Sequence, residues 1–162
     1  MRPDAAVPPR DGRPPVFVEH VTVRPDRIVV DVRISCERYA YTTPQLVREA
    51  LARFPFLMEH ACVNDRGPTF ASVACHTSVP HLLEHMAIEE QVRLAGRASA
   101  SYVGKTARSD RRALRARVEL SYDDDLVALR CIRTAQEWLN ETLRRQEAAD
   151  RRARSGRGSR DS

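Results

Sequence analysis

Two stretches of strict alternation frame the chain. From Arg27 to Ile34, Ile28, Val30, Val32 and Ile34 fall on one face, and Arg27, Asp31 and Arg33 on the other. From Leu114 to Tyr122, Leu114, Ala116, Val118, Leu120 and Tyr122 alternate with Arg115, Arg117, Glu119 and Ser121. A period of two with one apolar face predicts half-buried strands. Val16 to Val23 reads as a further strand, and the Pro25-Asp26 turn joins it to Arg27–Ile34 as an antiparallel hairpin.

Helical periodicity occupies three other segments. Thr42-Thr43-Pro44 supplies a cap and a first-turn proline. Leu46, Val47, Ala50, Leu51 and Phe54 then follow the helical period, and Pro55 stops it. A second helix is expected from Ser78, as a capping residue, through Pro80 to about Leu94, with Gly96 as its stop. Leu83, Met86, Ala87 and Leu94 share the face of this helix that can pack on a sheet, and Glu90 falls there too. A third helix opens at Asp123-Asp124-Asp125, where carboxylates suit the macrodipole, and buries Leu129, Ile132, Leu139 and Leu143. Between these elements, Thr69–Cys75 is expected as a short strand, Ala98–Val103 as a strand and Gly104–Arg112 as a polar loop. The order is β-β-α-(β)-α-β-β-α. It predicts an α+β domain, a mainly antiparallel sheet with helices packed on one face. The domain is expected over residues 16–145, between a disordered segment, 1–15, and a basic disordered tail, 146–162.

Charge changes this picture little. The chain of 162 residues carries a formal net charge of +5, and seven arginines lie between Arg144 and Ser162. No aromatic residue interleaves with them, so nucleic acid is not expected as a partner. The N-terminus has no apolar core of a signal peptide, and no run approaches the ~20 apolar residues of a membrane span. The four cysteines form no C-x-x-C pair, and a cytoplasmic protein with reduced thiols is expected. Cys75 and Cys131 read as small buried apolar residues, His60 and Cys62 as core or supporting ones.

The chemistry concentrates in the second helix. Its segment His81-Leu82-Leu83-Glu84-His85 has the H-x-x-E-H pattern of inverted zinc-peptidase motifs. Residues three and four apart share a helix face, so His81, Glu84 and His85 converge. The two imidazoles are candidate Zn²⁺ ligands and Glu84 the candidate general base. Glu89, one turn on, is the expected third ligand, with His76 in the preceding loop as its competitor. Lys105 and Arg108 are candidate donors to an oxyanion.

Two family resemblances rest on these residues. His81-x-x-Glu84-His85-x-Ala87-x-Glu89-x-Gln91-x-x-Leu94-Ala95-Gly96 resembles the N-terminal domain of cyanophycin synthetases, as do Phe54-Pro55-x-Leu57-x-x-His60-x-Cys62 upstream and Gly104-Lys105-Thr106 downstream. The resemblance runs from about Val16 to Leu143. It implies a module that handles a peptide or polymer, with a metal-dependent hydrolytic site in some members, and it places Thr106 with Lys105 and Arg108 among substrate-binding candidates. It also implies an alternative, a non-catalytic binding module that accompanies a synthetase partner. More remotely, the motif and the elements after it are similar to the pitrilysin-class inverted zinc peptidases and to S-ribosylhomocysteine lyase, which leaves a metal-dependent lyase as a further alternative. The function expected is a zinc-dependent hydrolase of peptide or isopeptide bonds.

Overall fold

The structure, a computed structural model, describes residues 12–96, 101–109 and 114–158. Strands β1 (Val16–Val23), β2 (Arg27–Ile34), β3 (Gly104–Arg108) and β4 (Arg115–Ser121) form one sheet in the order β1-β2-β4-β3, antiparallel throughout. Helices α1 (Pro44–Arg53), α2 (Val79–Ala95) and α3 (Asp125–Gly158) complete the mixed α+β architecture.

The alternating residues do what their period demands. Ile28, Val30, Val32, Ile34, Ala116, Val118 and Leu120 are buried on the helix side of the sheet. The other side carries ion pairs between neighbouring strands, Arg117 with Asp31 and Arg27 with Glu119, each at 3.0 Å. Helix α2 packs on β3 and β4 beneath α3. It is covered nearly all round, and Leu82, Leu83, Met86 and Ala87 are all fully buried. Leu94 instead lies 41% exposed. The buried stripe of α3 is Ala128, Cys131, Ile132, Ala135, Leu139 and Leu143, with Leu129 only half-buried.

Several expected elements differ in the structure. Thr69–Cys75 is not a strand: it makes 3₁₀ turns at Phe70–Ser72 and Ala74–His76, and pairs only through a bridge from Thr69 to Ala61. Its apolar residues bury as turns do, with Phe70 and Ala74 inside. The third strand comes later than expected, at Gly104–Arg108, within the segment expected as a loop. Of the expected Ala98–Val103 strand, residues 98–100 lie outside the described residues and 101–103 are irregular. The basic tail continues α3 as helix through Gly158. Glu147 anchors that extension, accepting from Arg38 at 2.7 Å and from the Tyr39 hydroxyl. Burial, with Glu147 beside it, pushes the Tyr39 pKa up. Of the expected N-terminal disordered segment, residues 1–11 lie outside the described residues.

The start of α2 is fixed by main-chain contacts. Ser78 occupies the cap position, but its hydroxyl makes no capping bond. Its carbonyl accepts from His81 N–H at 3.0 Å and Leu82 N–H at 3.2 Å. Val79 N–H donates to Ala40 C=O at 2.9 Å, and Thr42 N–H to Thr77 C=O at 2.8 Å, so the segment before α1 holds the first turn of α2. At the other end Gly96 adopts a left-handed conformation, φ 62°, as a glycine stop does. Glu90, unexplained by the apolar pattern, is held by Arg93 at 2.6 Å and Arg53 at 3.2 Å.

Candidate metal centre

Helix α2 brings His81 and His85 together one turn apart, with Nε2 atoms separated by 3.2 Å. A third donor reaches them from the irregular segment before the helix. Cys62 Sγ lies 3.4 Å from His81 Nε2, and donor atoms of Cys62, His81 and His85 all fall within 4.8 Å of one another. A local loop presents that cysteine. Asn64 Oδ1 accepts from the N–H groups of Arg66 and Gly67 at 2.8 and 2.9 Å, its amide donates to Cys62 C=O at 3.2 Å, and Cys62 N–H donates to Pro68 C=O at 3.1 Å.

The outer ring nitrogens have their own partners. Thr77 Oγ1 lies 2.8 Å from His81 Nδ1. His85 Nδ1 lies 3.1 Å from His60 Nδ1, and His60 Nε2 faces Glu89 Oε2 at 3.6 Å. One assignment of protons satisfies the two shorter contacts and turns His60 toward Glu89 Oε2, a buried oxygen that has no hydrogen-bond partner among the described residues. His81 donates from Nδ1 to Thr77, His85 donates from Nδ1 to His60, and His60 presents its Nε2–H to the Glu89 carboxylate. Both inner nitrogens, His81 Nε2 and His85 Nε2, then carry free lone pairs 3.2 Å apart. Phe70 packs against the His85 ring, with centroids 4.3 Å apart. Burial lowers the pKa of His60 and of His81; burial together with the nearby His81 and His60 takes His85 down to about 3. Burial thus favours the neutral form of each ring, the form that ligates metal.

Glu84 lies beside this group, its Oε1 4.0 Å from His85 Nε2. Its other oxygen accepts from Thr106 Oγ1 on β3 at 2.5 Å. Burial pushes the Glu84 pKa up to about 7, against the lowering effect of that hydrogen bond. Gly104 is required here, because a Cβ at that position would stand 2.5 Å from Glu84 Oε1 and 2.7 Å from its Cγ.

The remaining candidates lie at varying distances from this centre. Glu89 is not grouped with the donor atoms. It accepts from Phe56 N–H at 3.1 Å and faces His60, so it supports His85 through another ring. His76 is exposed and stacks on Tyr41, with centroids 5.1 Å apart, outside the donor group. Arg108 donates to Tyr41 Oη at 3.1 Å on the cleft rim. Lys105 borders the cleft, but its register opposite Glu119 puts its side chain on the sheet face away from α2. Cys75 is exposed rather than buried, and Cys131 is buried as expected.

Cys62 and His60 are the residues that helical spacing misses. Their separation by one residue is the available signal, since positions i and i+2 of an extended segment share a face. The centre opens into a cleft of about 1790 Å³, also bordered by Arg53, Asp65, Arg66, Arg93 and, from β3, Gly104, Lys105, Thr106 and Arg108.

Two of the three donor separations match those of a tetrahedral zinc site, and the third, Cys62 to His85, is within 4.8 Å. Tetrahedral bonds of about 2.0–2.1 Å to nitrogen and about 2.3 Å to sulfur place two nitrogens about 3.3 Å apart, and sulfur about 3.6 Å from nitrogen. The separations here, 3.2 and 3.4 Å, are close to both. Fold and donor set together define a small α+β domain with a candidate three-ligand metal centre at the foot of a cleft. Residues 27–144 match the family model of the cyanophycin synthase-like N-terminal domain, and the chain belongs to that family. No curated protein matches it significantly. Among the described residues, no helix is long and apolar enough to cross a membrane.

Proposed function

We propose that the protein is a metal-dependent hydrolase of peptide or isopeptide bonds. The observation that carries this reading is the convergence of Cys62, His81 and His85 beside a buried carboxylate, Glu84, that is held by Thr106. Cys62 takes the place as third ligand that the helical spacing suggested for Glu89. A Zn²⁺ held by these three donors supplies Lewis acidity, acidifying a water and polarising a carbonyl.

The chain's own residues do the rest. Thr77 and His60 fix the two ligating rings through their outer nitrogens, and Glu89 steadies His60. Thr106 fixes one Glu84 oxygen and leaves Oε1 facing the centre. That oxygen takes the proton of the attacking water and delivers it to the leaving nitrogen. The carbonyl carbon gains the hydroxyl, the C–N bond breaks, and the amine leaves neutral. Arg108, on the cleft rim, is a candidate to hold a carboxylate or carbonyl of the substrate.

The test is reconstitution with one equivalent of Zn²⁺ and incubation with a diverse peptide mixture, followed by mass spectrometry. Cleavage by the wild-type chain that is lost in Glu84→Gln, with metal content unchanged, supports the reading. A protein that keeps no stoichiometric metal, and whose products are indifferent to Glu84→Gln, overturns it.

A further inference from the structure

Strand β3 leaves one side of its main chain unpaired within the sheet, and that side borders the cleft. It stands at the sheet edge, paired, among the described residues, with β4 alone. In an antiparallel pair, opposite residues alternate between exchanging both main-chain hydrogen bonds and exchanging none. Two bonds just beyond the strand ends set the phase: Ser121 N–H donates to Val103 C=O and Ser109 N–H to Arg115 C=O, each at 2.8 Å. Both pairs are in phase with the register that sets Lys105 opposite Glu119 and Ala107 opposite Arg117. Residues 103, 105, 107 and 109 therefore turn their peptide groups toward β4. Gly104, Thr106 and Arg108 turn theirs outward.

The outward groups sit beside the candidate centre. Gly104, Thr106 and Arg108 line the same cleft as Cys62, His81, Glu84 and His85. Glu84 bridges the two, 2.5 Å from Thr106 Oγ1 on one side and 4.0 Å from His85 Nε2 on the other. The opposite edge of the sheet is treated differently. At the start of β1, Asn140 on α3 binds both the N–H and the C=O of Val16 at 2.8 Å, so the outward groups are taken.

We infer that the substrate is a linear chain with a peptide main chain, bound extended along β3 as a fifth strand. Its N–H and C=O groups pair with Gly104, Thr106 and Arg108, and this lays one of its carbonyls against the Cys62–His81–His85 group. The inference rests on the hydrolase reading and adds the substrate class. Recognition through the main chain tolerates varied or branched side chains, because alternate side chains point away from the edge. It excludes compact small molecules and chains whose amide nitrogens are substituted.

The test uses the Zn²⁺-loaded full chain and three hydroxamates, which anchor on the metal: acetohydroxamate, acetyl-tetra-alanine hydroxamate, and the tetrapeptide N-methylated at one amide at a time. The tetrapeptide is expected to bind more tightly than acetohydroxamate. N-methylation is expected to weaken it about 10-fold at every second amide and little between them. Hydrogen exchange at the Thr106 and Arg108 amides is expected to slow on binding, while Ala107, already paired to β4, does not change. If acetohydroxamate binds but the tetrapeptide gains nothing, or all N-methyl positions behave alike, the edge-strand inference is overturned and the metal reading stands. If acetohydroxamate fails to bind, the metal reading falls and the inference falls with it.

Discussion

Thr106 on the edge strand donates its hydroxyl to Glu84 on the central helix at 2.5 Å, tying the sheet to a buried carboxylate whose other oxygen lies 4.0 Å from His85 Nε2. The bond fixes a rotamer. Thr106→Val keeps the shape and removes the donor. Turnover of any cleaved peptide is expected to fall about 10-fold, the low end for residues that orient a catalytic group, with Zn²⁺ affinity within about twofold of wild type. Paired kinetic and metal-competition assays check this.

Gly104 leaves room for the same carboxylate. A methyl in its place meets Glu84 Oε1 at 2.5 Å, so Gly104→Ala is expected to cost about 1–3 kcal/mol in denaturant unfolding. Glu84→Ala in the same chain removes the obstacle. The double variant is expected to recover most of that loss, which a double-mutant cycle reads directly.

His60 joins His85 to Glu89. His60→Phe keeps a ring of similar size and removes the acceptor for His85 Nδ1–H. Metal affinity is expected to drop about 10–100-fold, measured by competition with a chelator of known strength. Glu89→Gln, one contact further out, is expected to lose less. An equal loss from Glu89→Gln with none from His60→Phe would place Glu89 among the ligands instead.

The helix and the two alternating strands were legible because each is written in local periodicity. His81, Glu84 and His85 share a face by spacing alone. What escaped depends on partners distant in the chain. The edge strand β3 is short and polar, and only its pairing with β4 and the Thr106–Glu84 bond mark it, whereas Ala98–Val103 has the more strand-like composition. Thr69–Cys75 carries β-favouring residues, yet it must turn to bring the chain back to α2, and Phe70 buries against His85 in doing so. The tail lacks an apolar stripe but is rich in helix formers, and Glu147 fastens it to Arg38 and Tyr39. Cys62 read as a core or supporting residue because its position is set by the Asn64 loop rather than by any helix, and only its spacing from His60 hints at more.

Glu90 shows how a charge survives on the packed side of α2. The hydrogen bond from Arg93 lowers its carboxyl below the usual range, burial opposes this, and Arg53 adds to the lowering. Its stabilising effect is complete above the pKa of an unfolded glutamate and is lost as pH falls through the lower folded value. Both arginines are partly exposed, so Glu90→Gln is expected to cost only about 1 kcal/mol at pH 7. Thermal unfolding of the two proteins is expected to differ at pH 7 and to converge as acid protonates the carboxyl.

The most direct measurement is a Co²⁺ titration of the metal-free chain, followed by visible and near-ultraviolet absorption, in the wild type, Cys62→Ser and His85→Ala. One equivalent bound, with tetrahedral d–d bands and a thiolate charge-transfer band that disappears in Cys62→Ser, is the predicted result, and His85→Ala is expected to lose tight binding. No stoichiometric binding, or a spectrum that Cys62→Ser leaves unchanged, would contradict a Cys62–His81–His85 centre.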